Sequence, residues 1–196
     1  MPVLVAGGLV TAAALALALP RTSQTDMPKV AVVSAAFFVV SLINVPVGPT
    51  SVHLVLSVLI GLVLGWAMVP AIFVGLILQA VFFGFGGITT LGLTTVNIAL
   101  PGLFWGTLFR RPINAARTAL GRSLLAGLAA ALAIGTSALL VVTELGLSDR
   151  AYLASAPLVM LTYLAAGEAV ITGFAVTFLH RVMPEALRTV PVAGHA

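Results

Sequence analysis

Long apolar runs, separated by short breaks that carry nearly all of the charge, constrain this chain more than any other feature. The runs cover residues 3–19, 30–45, 52–66, 71–83, 94–109, 124–142 and 158–179. A membrane-spanning helix needs about 20 mostly apolar residues. A soluble domain carries about 25% charged residues, whereas this chain carries 7%. The sequence therefore predicts an all-α integral membrane protein, a bundle of about seven transmembrane helices. The third and fourth runs are short, so these helices are expected to be tilted or only partly spanning.

The length of 196 residues leaves no room beyond these helices for a soluble catalytic domain. We expect a single transmembrane domain over 1–196, with the first helix in 1–20, the core helices in 27–183 and a cytoplasmic tail in 184–196. The first run could also be a secretory signal peptide, but such a peptide normally begins with positive charge. Since no charge precedes Arg21, a retained helix is favoured.

Positive charges fall on alternate breaks and thereby predict an orientation. Eight of the nine lysines and arginines lie in the first break, the fifth break and the part of the chain that follows the last run. Cytoplasmic segments near span ends collect Lys and Arg. We therefore expect a multi-pass protein of the cell membrane with its amino terminus outside and its carboxyl terminus in the cytoplasm. The formal charge of +4 reflects this loop placement, so the expected surroundings are the lipid bilayer and no nucleic acid.

The available residues exclude several kinds of chemistry. The sequence has no cysteine, which excludes disulfides, thiolate metal sites and cysteine nucleophiles. Its single lysine, Lys29, does not lie in a phosphate-binding P-loop, so the chain itself does not hydrolyse nucleotide. An intramembrane hydrolase needs a nucleophile and a base within reach of each other, and His53 is the only candidate base on the outer side. We therefore expect a protein that is not an enzyme. His180 and His195, in or beside the basic tail, are interpreted as solvated residues.

His53 closes an uncharged outside loop, 44–52, that contains two prolines and a glycine. Irregular backbone at membrane depth persists only where it is buried in protein or lines a cavity. A neutral imidazole in such a place can bind a metal ion. The alternative is an interfacial histidine that hydrogen-bonds a carbonyl group. The residues alone leave both interpretations open.

A second uncharged outside segment, 84–97, is rich in glycine and threonine. One interpretation is a tight connection in which glycine supplies positive φ and threonine caps the next helix. The other is a lid, or a supporting platform, over a site that His53 faces. The side chains considered for this support are Thr89, Thr90, Thr94 and Asn97.

Glu168 is the only acidic residue deep inside a predicted span. A charge there costs at least ~2.5 kcal/mol on insertion scales, so this side chain should face the bundle and be protonated or paired. No lysine or arginine lies within a predicted span, which leaves Gln79, Asn97 and the threonines of the spans as expected partners. A structural hydrogen bond is favoured over a direct role in transport.

Small residues on two spans allow another helix to approach closely. Ala31 and Ala35 lie near the cytoplasmic end of the second span, and a cluster of alanines lies on the sixth. Internal packing could explain both sets. For Ala31 and Ala35, a surface that contacts a partner is the alternative.

Three segments together, 44–53, 83–92 with Asn97, and 167–173, resemble the CbiM/NikM family. The similarity covers nearly the whole chain from the second span onward, and the Gly-Gly-x-Thr-Thr-Leu-Gly sequence at 86–92 is its most specific part. Members of this family are substrate-specificity (S) components of energy-coupling factor (ECF) transporters, which take up cobalt or nickel. The resemblance implies capture of Co²⁺ or Ni²⁺ at the outer face for ATP-driven uptake, with the ion as cargo and no catalytic cofactor.

The resemblance also implies ligands and partners. In the family, the ion is held by the amino-terminal nitrogen, by the backbone amide and imidazole of the second residue, and by a loop histidine that matches His53. Nitrogen coordination of this near-planar kind suits Ni(II), with Co(II) also possible. The implied partners are a transmembrane coupling (T) subunit, two ATPase subunits and often a small accessory membrane subunit. Ala31 and Ala35 are the candidate contact with the T subunit.

The amino terminus departs from the family pattern, because the family begins Met-His and this chain begins Met1-Pro2-Val3. Either the chain starts at an internal methionine and lacks a short upstream segment, or it is a degenerate member that no longer binds the ion. The first is favoured because the other motifs are intact. Thr94 is a smaller departure, since the family often carries asparagine there. An S component for an organic vitamin is a further alternative, which would not need His53.

The hypothesis of a missing upstream segment can be tested directly. The reading frame ahead of Met1 should stay open for roughly a dozen codons and encode Met-His, a length that lets the segment fold back toward His53. The extended chain is expected to bind one ion per molecule, and the chain beginning at Met1 to bind far less. Metal stoichiometry of the two purified forms measures the difference. Tight binding by the shorter form would contradict the ligand set carried over from the family.

Overall fold

The computed structural model describes residues 2–47, 50–84, 87–148 and 157–187. These residues form seven α-helices: α1 (Pro2–Ala18), α2 (Met27–Ser41), α3 (Ser57–Leu64), α4 (Met68–Phe83), α5 (Leu91–Ala115), α6 (Ala119–Ser148) and α7 (Pro157–Val182). Short 3₁₀ turns occur at Leu19–Arg21, Gln24–Asp26, Gly65–Ala67, Ile88–Thr90 and Pro184–Leu187. Between α2 and α3 lies an antiparallel hairpin of β1 (Asn44–Val47) and β2 (Thr50–His53).

Within the described part of the chain, four stretches are long and apolar enough to cross a membrane: Pro2–Arg21, Ser57–Phe83, Ile88–Ala115 and Ala119–Glu144. The helical character predicted from the apolar runs is confirmed. The stretch Ser57–Phe83 is broken by the 3₁₀ turn Gly65–Ala67 into α3 and α4, where the two short runs were expected. The number of crossings and the sides of the two termini stay predictions.

The hairpin corrects the limits of the second and third runs. These runs predict helix through residue 45 and again from residue 52, but α2 ends at Ser41 and α3 begins at Ser57. The residues between them include paired strands, with Asn44 opposite His53. The expected irregular loop is therefore largely a β-ladder. Its β-branched residues favour extended backbone, and its prolines disfavour helix.

Hydrogen bonds between side chains and neighbouring helices fix the relative direction of α2 and α4. Ser34 Oγ donates to the Ala71 carbonyl at 2.6 Å. Farther along both helices, Gln79 Nε2 donates to Ser41 Oγ at 2.6 Å. Both contacts join residues about 37 positions apart in the sequence, so α2 and α4 run parallel.

The helices α3 and α5 also run parallel, and they pack closely. A Cβ atom added to Gly102 would lie 2.7 Å from Ser57 Cβ, at the start of α3. Nearer the other end, Arg110 Nη2 donates to the carbonyls of Gly61 and Leu62 at 2.9 and 3.0 Å. The residues before Ser57 therefore lie toward the end of the bundle at which α5 begins.

Basic segments lie together at one end, which we call the basic end. Arg21 stacks over the Trp66 ring at 4.9 Å, in the turn between α3 and α4, and Arg110 binds the carboxyl-terminal carbonyls of α3. Asn114 Nδ2 donates to the Leu187 carbonyl at 3.3 Å, which adds the chain beyond α7 to this end. The first break, the fifth break and the start of the tail are therefore neighbours, as the charge pattern predicts.

The opposite end, which we call the hairpin end, carries β1, β2 and the turn Ile88–Thr90. Here α1 crosses the start of α5: Thr11 Oγ1 donates to the Gly92 carbonyl at 2.6 Å. A Cβ atom on Gly92 would lie 2.7 Å from Gly8 Cα, so glycine permits the close crossing. The amino-terminal part of α1 therefore lies at the same end as His53.

The predicted tail begins with packed residues. Pro184–Leu187 forms a 3₁₀ turn, and Leu187 is 1% exposed within the apolar cluster of Val58, Ile113 and Val176. The packed part of the chain thus extends at least to Leu187. The remainder of the expected tail, 188–196, lies outside the described residues.

The contact between α3 and α5 gives a stability prediction. Replacing Gly102 by alanine places a methyl group 2.8 Å from the Ser57 carbonyl oxygen, and overpacking of this kind costs about 1–3 kcal/mol. The variant should therefore unfold at lower temperature in detergent. The control is Gly135→Ala in α6, where an added Cβ meets nothing within 4 Å. This control should be neutral or more stable, because alanine is the better helix former by about 1 kcal/mol. Equal melting temperatures for the two variants would contradict the close packing.

Candidate functional site

His53 is the last residue of β2, and its side chain is partly buried at the hairpin end. Burial lowers the pKa of His53, because desolvation disfavours the charged imidazolium, and the contact of Nδ1 with the Leu54 carbonyl at 3.5 Å opposes that shift only in part. The imidazole is therefore neutral at pH 7. With its proton on Nδ1, facing that carbonyl, Nε2 is the nitrogen that can coordinate a metal ion.

Glu168 on α7 binds the chain that follows His53. The Glu168 residue is only 1% exposed. Oε1 accepts hydrogen bonds from the backbone N–H groups of Val55 and Leu56, the latter at 2.9 Å, and Oε2 lies 3.0 Å from the same Leu56 nitrogen. Val55 and Leu56 come directly before Ser57, the first residue of α3. The carboxyl group therefore ties the chain that enters α3 to another helix.

Leu56 turns the chain between β2 and α3. It has φ 53° and ψ 32°, and it is the only non-glycine residue with positive φ among those described. This left-handed conformation costs an L-residue roughly 1–2 kcal/mol. The bonds from Glu168 hold Leu56 in this turn, so α7 helps to set the direction in which the chain leaves His53.

The prediction that Gln79 or Asn97 is the partner of Glu168 is wrong. Gln79 donates instead to Ser41, and Asn97 Nδ2 donates to Glu144 Oε2 at 2.8 Å. A hydrogen-bonded Glu168 is as the sequence predicts, but its partners are backbone N–H groups. Sequence reasoning considered only polar side chains as partners. It therefore missed Val55 and Leu56, which donate through their backbone N–H groups.

Asn97 joins α5 to α6 at the hairpin end. It is 7% exposed, its Nδ2 binds Glu144, and its backbone carbonyl accepts a hydrogen bond from Ser137 Oγ at 2.6 Å. Its contacts are those of an interhelical polar link. Sequence reasoning missed Glu144 as a partner, although an acidic residue just beyond the sixth run was a usable signal.

The threonines considered for support make local contacts. Thr94 Oγ1 donates to the Thr90 carbonyl at 3.0 Å, within its own helix, and Thr90 Oγ1 donates to the Gly87 carbonyl at 3.2 Å. Thr89 is exposed on the 3₁₀ turn. The expectation that glycine supplies positive φ is confirmed at Gly84 (67°) and Gly87 (69°). The expected capping by threonine is wrong at Thr90, whose side chain makes no capping bond to α5.

Ala31 and Ala35 are exposed on α2. The other face of this helix packs on α4 through Ser34 and Phe37, which are 6% and 3% exposed. A groove of about 500 Å³ between α2, α3 and α7 is lined on α2 by residues such as Val32 and Ala36, and not by these two alanines. Access for a further helix at Ala31 and Ala35 follows from their exposure alone.

A protein-family model matches nearly the whole chain. The model of CbiM, described as the cobalt uptake substrate-specific transmembrane region, matches residues 1–186. The protein belongs to this family of transmembrane cobalt and nickel transport components, which confirms the family resemblance. The family is one of transport components and not of enzymes.

Relatives in other organisms agree with this assignment. A Haemophilus influenzae protein described as a metal transport protein is 42% identical over 129 residues, which are 66% of this chain and 62% of that protein. The fused nickel transport protein NikMN of Rhodobacter capsulatus is 34% identical over 198 residues, covering 85% of this chain and 55% of that protein. The chain thus spans less than two thirds of the length of each of these two relatives.

Solved structures share the fold. A crystal structure described as a transition metal transporter superposes with a TM-score of 0.76 at 26% identity, over 91% of this chain and 88% of the other. A truncated transition metal transporter superposes with a TM-score of 0.74 at 22% identity, over 94% of each chain. The chain therefore shares its overall fold with a solved transition metal transporter.

Proposed function

We propose that this protein is the S component of an ECF-type transporter in the cell membrane, where it captures Co²⁺ or Ni²⁺ at the outer face. The carrying observation is the position of His53, a neutral imidazole at the end of the bundle opposite the basic segments. Since basic segments favour the cytoplasmic side, His53 faces outward. The partner ATPase subunits supply the energy for uptake by hydrolysing ATP.

His53 supplies one nitrogen ligand, and the other ligands come from the amino-terminal segment. Among the described residues, no three His, Cys, Asp or Glu side chains form a group that could hold a metal ion. This favours a site in which backbone and terminal nitrogens complete the coordination, a donor set that suits Ni(II) and Co(II). The position of the start of α1 at the hairpin end supports such a shared site.

The same proposal includes a T subunit, two ATPase subunits and a small accessory membrane subunit. Relatives named as the fused nickel transport proteins NikMN and LarMN support an additional transport component. For the T subunit, the exposed small-residue face at Ala31 and Ala35 offers close approach to a partner helix.

Removing the imidazole tests the ligand assignment. In the extended chain that begins with Met-His, His53→Ala should weaken binding of Ni²⁺ and Co²⁺ by at least ~10-fold, because even the loss of an outer-shell partner typically costs that much. The matched control is His180→Ala, in the last turn of α7, which should bind as wild type does. Calorimetry at pH 7 and elemental analysis of the purified proteins give the affinities and stoichiometries. Unchanged metal content in His53→Ala would remove His53 from the site.

Enlarging the small-residue face tests the partner contact. Ala35→Leu should reduce copurification of the T subunit, since overpacking costs about 1–3 kcal/mol, equivalent to ~5–150-fold in association. Metal binding by the isolated protein should not change. The control is Ala13→Leu, which enlarges an exposed alanine on α1. Equal recovery of the T subunit with both variants would show that the contact lies elsewhere.

A further inference from the structure

We propose that Glu168 is a positioning residue for metal capture: by binding the backbone N–H groups of Val55 and Leu56, it holds the His53 imidazole where an ion can be coordinated. This inference rests on the proposed function, since it requires His53 to be a ligand. Glu168 itself does not touch the ion in this proposal. It acts through the three-residue connection from β2 to α3.

The backbone around His53 is held from both sides. On the amino-terminal side, β2 pairs with β1, and His53 lies opposite Asn44 in the register. On the carboxyl-terminal side, the bonds to Glu168 begin at Val55, two residues after His53. Without the carboxylate, the imidazole would be fixed by the hairpin alone, and the turn at Leu56 would lose the bonds that hold it.

The acceptor for these N–H groups comes from a distant helix. Leu56, directly before α3, makes no side-chain cap bond of its own, and its N–H group binds Glu168 on α7, 112 residues away in the sequence. A buried acidic residue in a membrane protein is expensive and usually functional. A local acceptor would bind these N–H groups without making the position of the connection from β2 to α3 depend on α7.

Glu168 is itself firmly placed, because α7 packs against α6 at very short range. A Cβ atom on Gly173 would lie 2.6 Å from the Ser123 carbonyl oxygen, and one on Gly127 would lie 2.9 Å from the Ala169 carbonyl oxygen. On α7 these contacts lie one and five residues after Glu168, and they leave the two helices little freedom to slide. The carboxylate therefore gives the His53 segment a fixed reference point.

Three substitutions in the extended chain that begins with Met-His test this role. Glu168→Leu removes both hydrogen bonds and should weaken Ni²⁺ binding by about 10–100-fold, the usual effect of losing a group that orients a ligand. Glu168→Gln keeps an oxygen where Oε1 accepts both N–H groups, so it should recover most of the affinity. Thr136→Val is the control: it removes the 2.9 Å bond from Trp105 between α5 and α6 and should leave the affinity unchanged.

Two further readouts separate positioning from general stability. Hydrogen exchange at the amides of Val55 and Leu56, without metal, should be slow in wild type and in Glu168→Gln and faster in Glu168→Leu. The ligand-field spectrum of bound Ni²⁺ should change in Glu168→Leu and not in Thr136→Val. Faster exchange with unchanged Ni²⁺ affinity and spectrum would overturn the inference, and so would unchanged exchange.

If Glu168→Leu does not fold, Glu168→Asp is the substitute variant. Its side chain keeps the carboxyl group but is one methylene shorter, so the hydrogen bonds to the N–H groups should lengthen and Ni²⁺ binding should weaken. Wild-type affinity in that variant would overturn the inference. A failure of the proposed function looks different: His53→Ala would then bind Ni²⁺ as wild type does. Lost binding in His53→Ala together with normal binding in every Glu168 variant would reject the positioning role alone.

Discussion

The structure depends on how the two ends of one short helix are satisfied. Backbone groups inside a bilayer must find partners within the protein, and α3 has only eight residues in which to pair its own. Glu168 from α7 binds the N–H groups of Val55 and Leu56 directly before its start, and Arg110 from α5 binds the carbonyls of Gly61 and Leu62 near its end. An acidic residue at the amino end and a basic residue at the carboxyl end is also the order that the helix dipole favours. Two titratable residues in a largely apolar bundle thus hold the same element.

This arrangement explains how a chain with such short third and fourth runs forms an ordered core. The close contact of Gly61 with Gly102 presses α3 against α5, and Gly65, at φ 56°, allows the chain to break there and continue into α4. The helix α3 therefore has a fixed position even though its own apolar length is small. The hairpin precedes it directly, so the position of His53 follows from contacts made by α5 and α7.

Much of the fold could be predicted from the sequence, because apolar runs report burial in lipid or protein directly. The ends of the runs for α1, α4 and α7 fall within a few residues of the observed helices. The hairpin was missed because its valines count as apolar in a hydropathy pattern although they favour extended backbone. The partners of Glu168 were missed for another reason: residue composition shows which side chains need partners but not which backbone groups lack them.

The candidate site, like the fold, could be predicted from the sequence only in part. His53 stands out in the sequence, since it is a titratable residue in an uncharged loop, and the structure places it at the end of the bundle away from the basic segments. What holds it in place could not be found by the same means, because the link runs through the backbone of Val55 and Leu56 to a helix far along the chain. A metal ligand has to be held within a fraction of an ångström of its productive position. The residues that provide this precision are therefore found by following the hydrogen bonds of the neighbouring backbone, and in this protein those bonds end at Glu168.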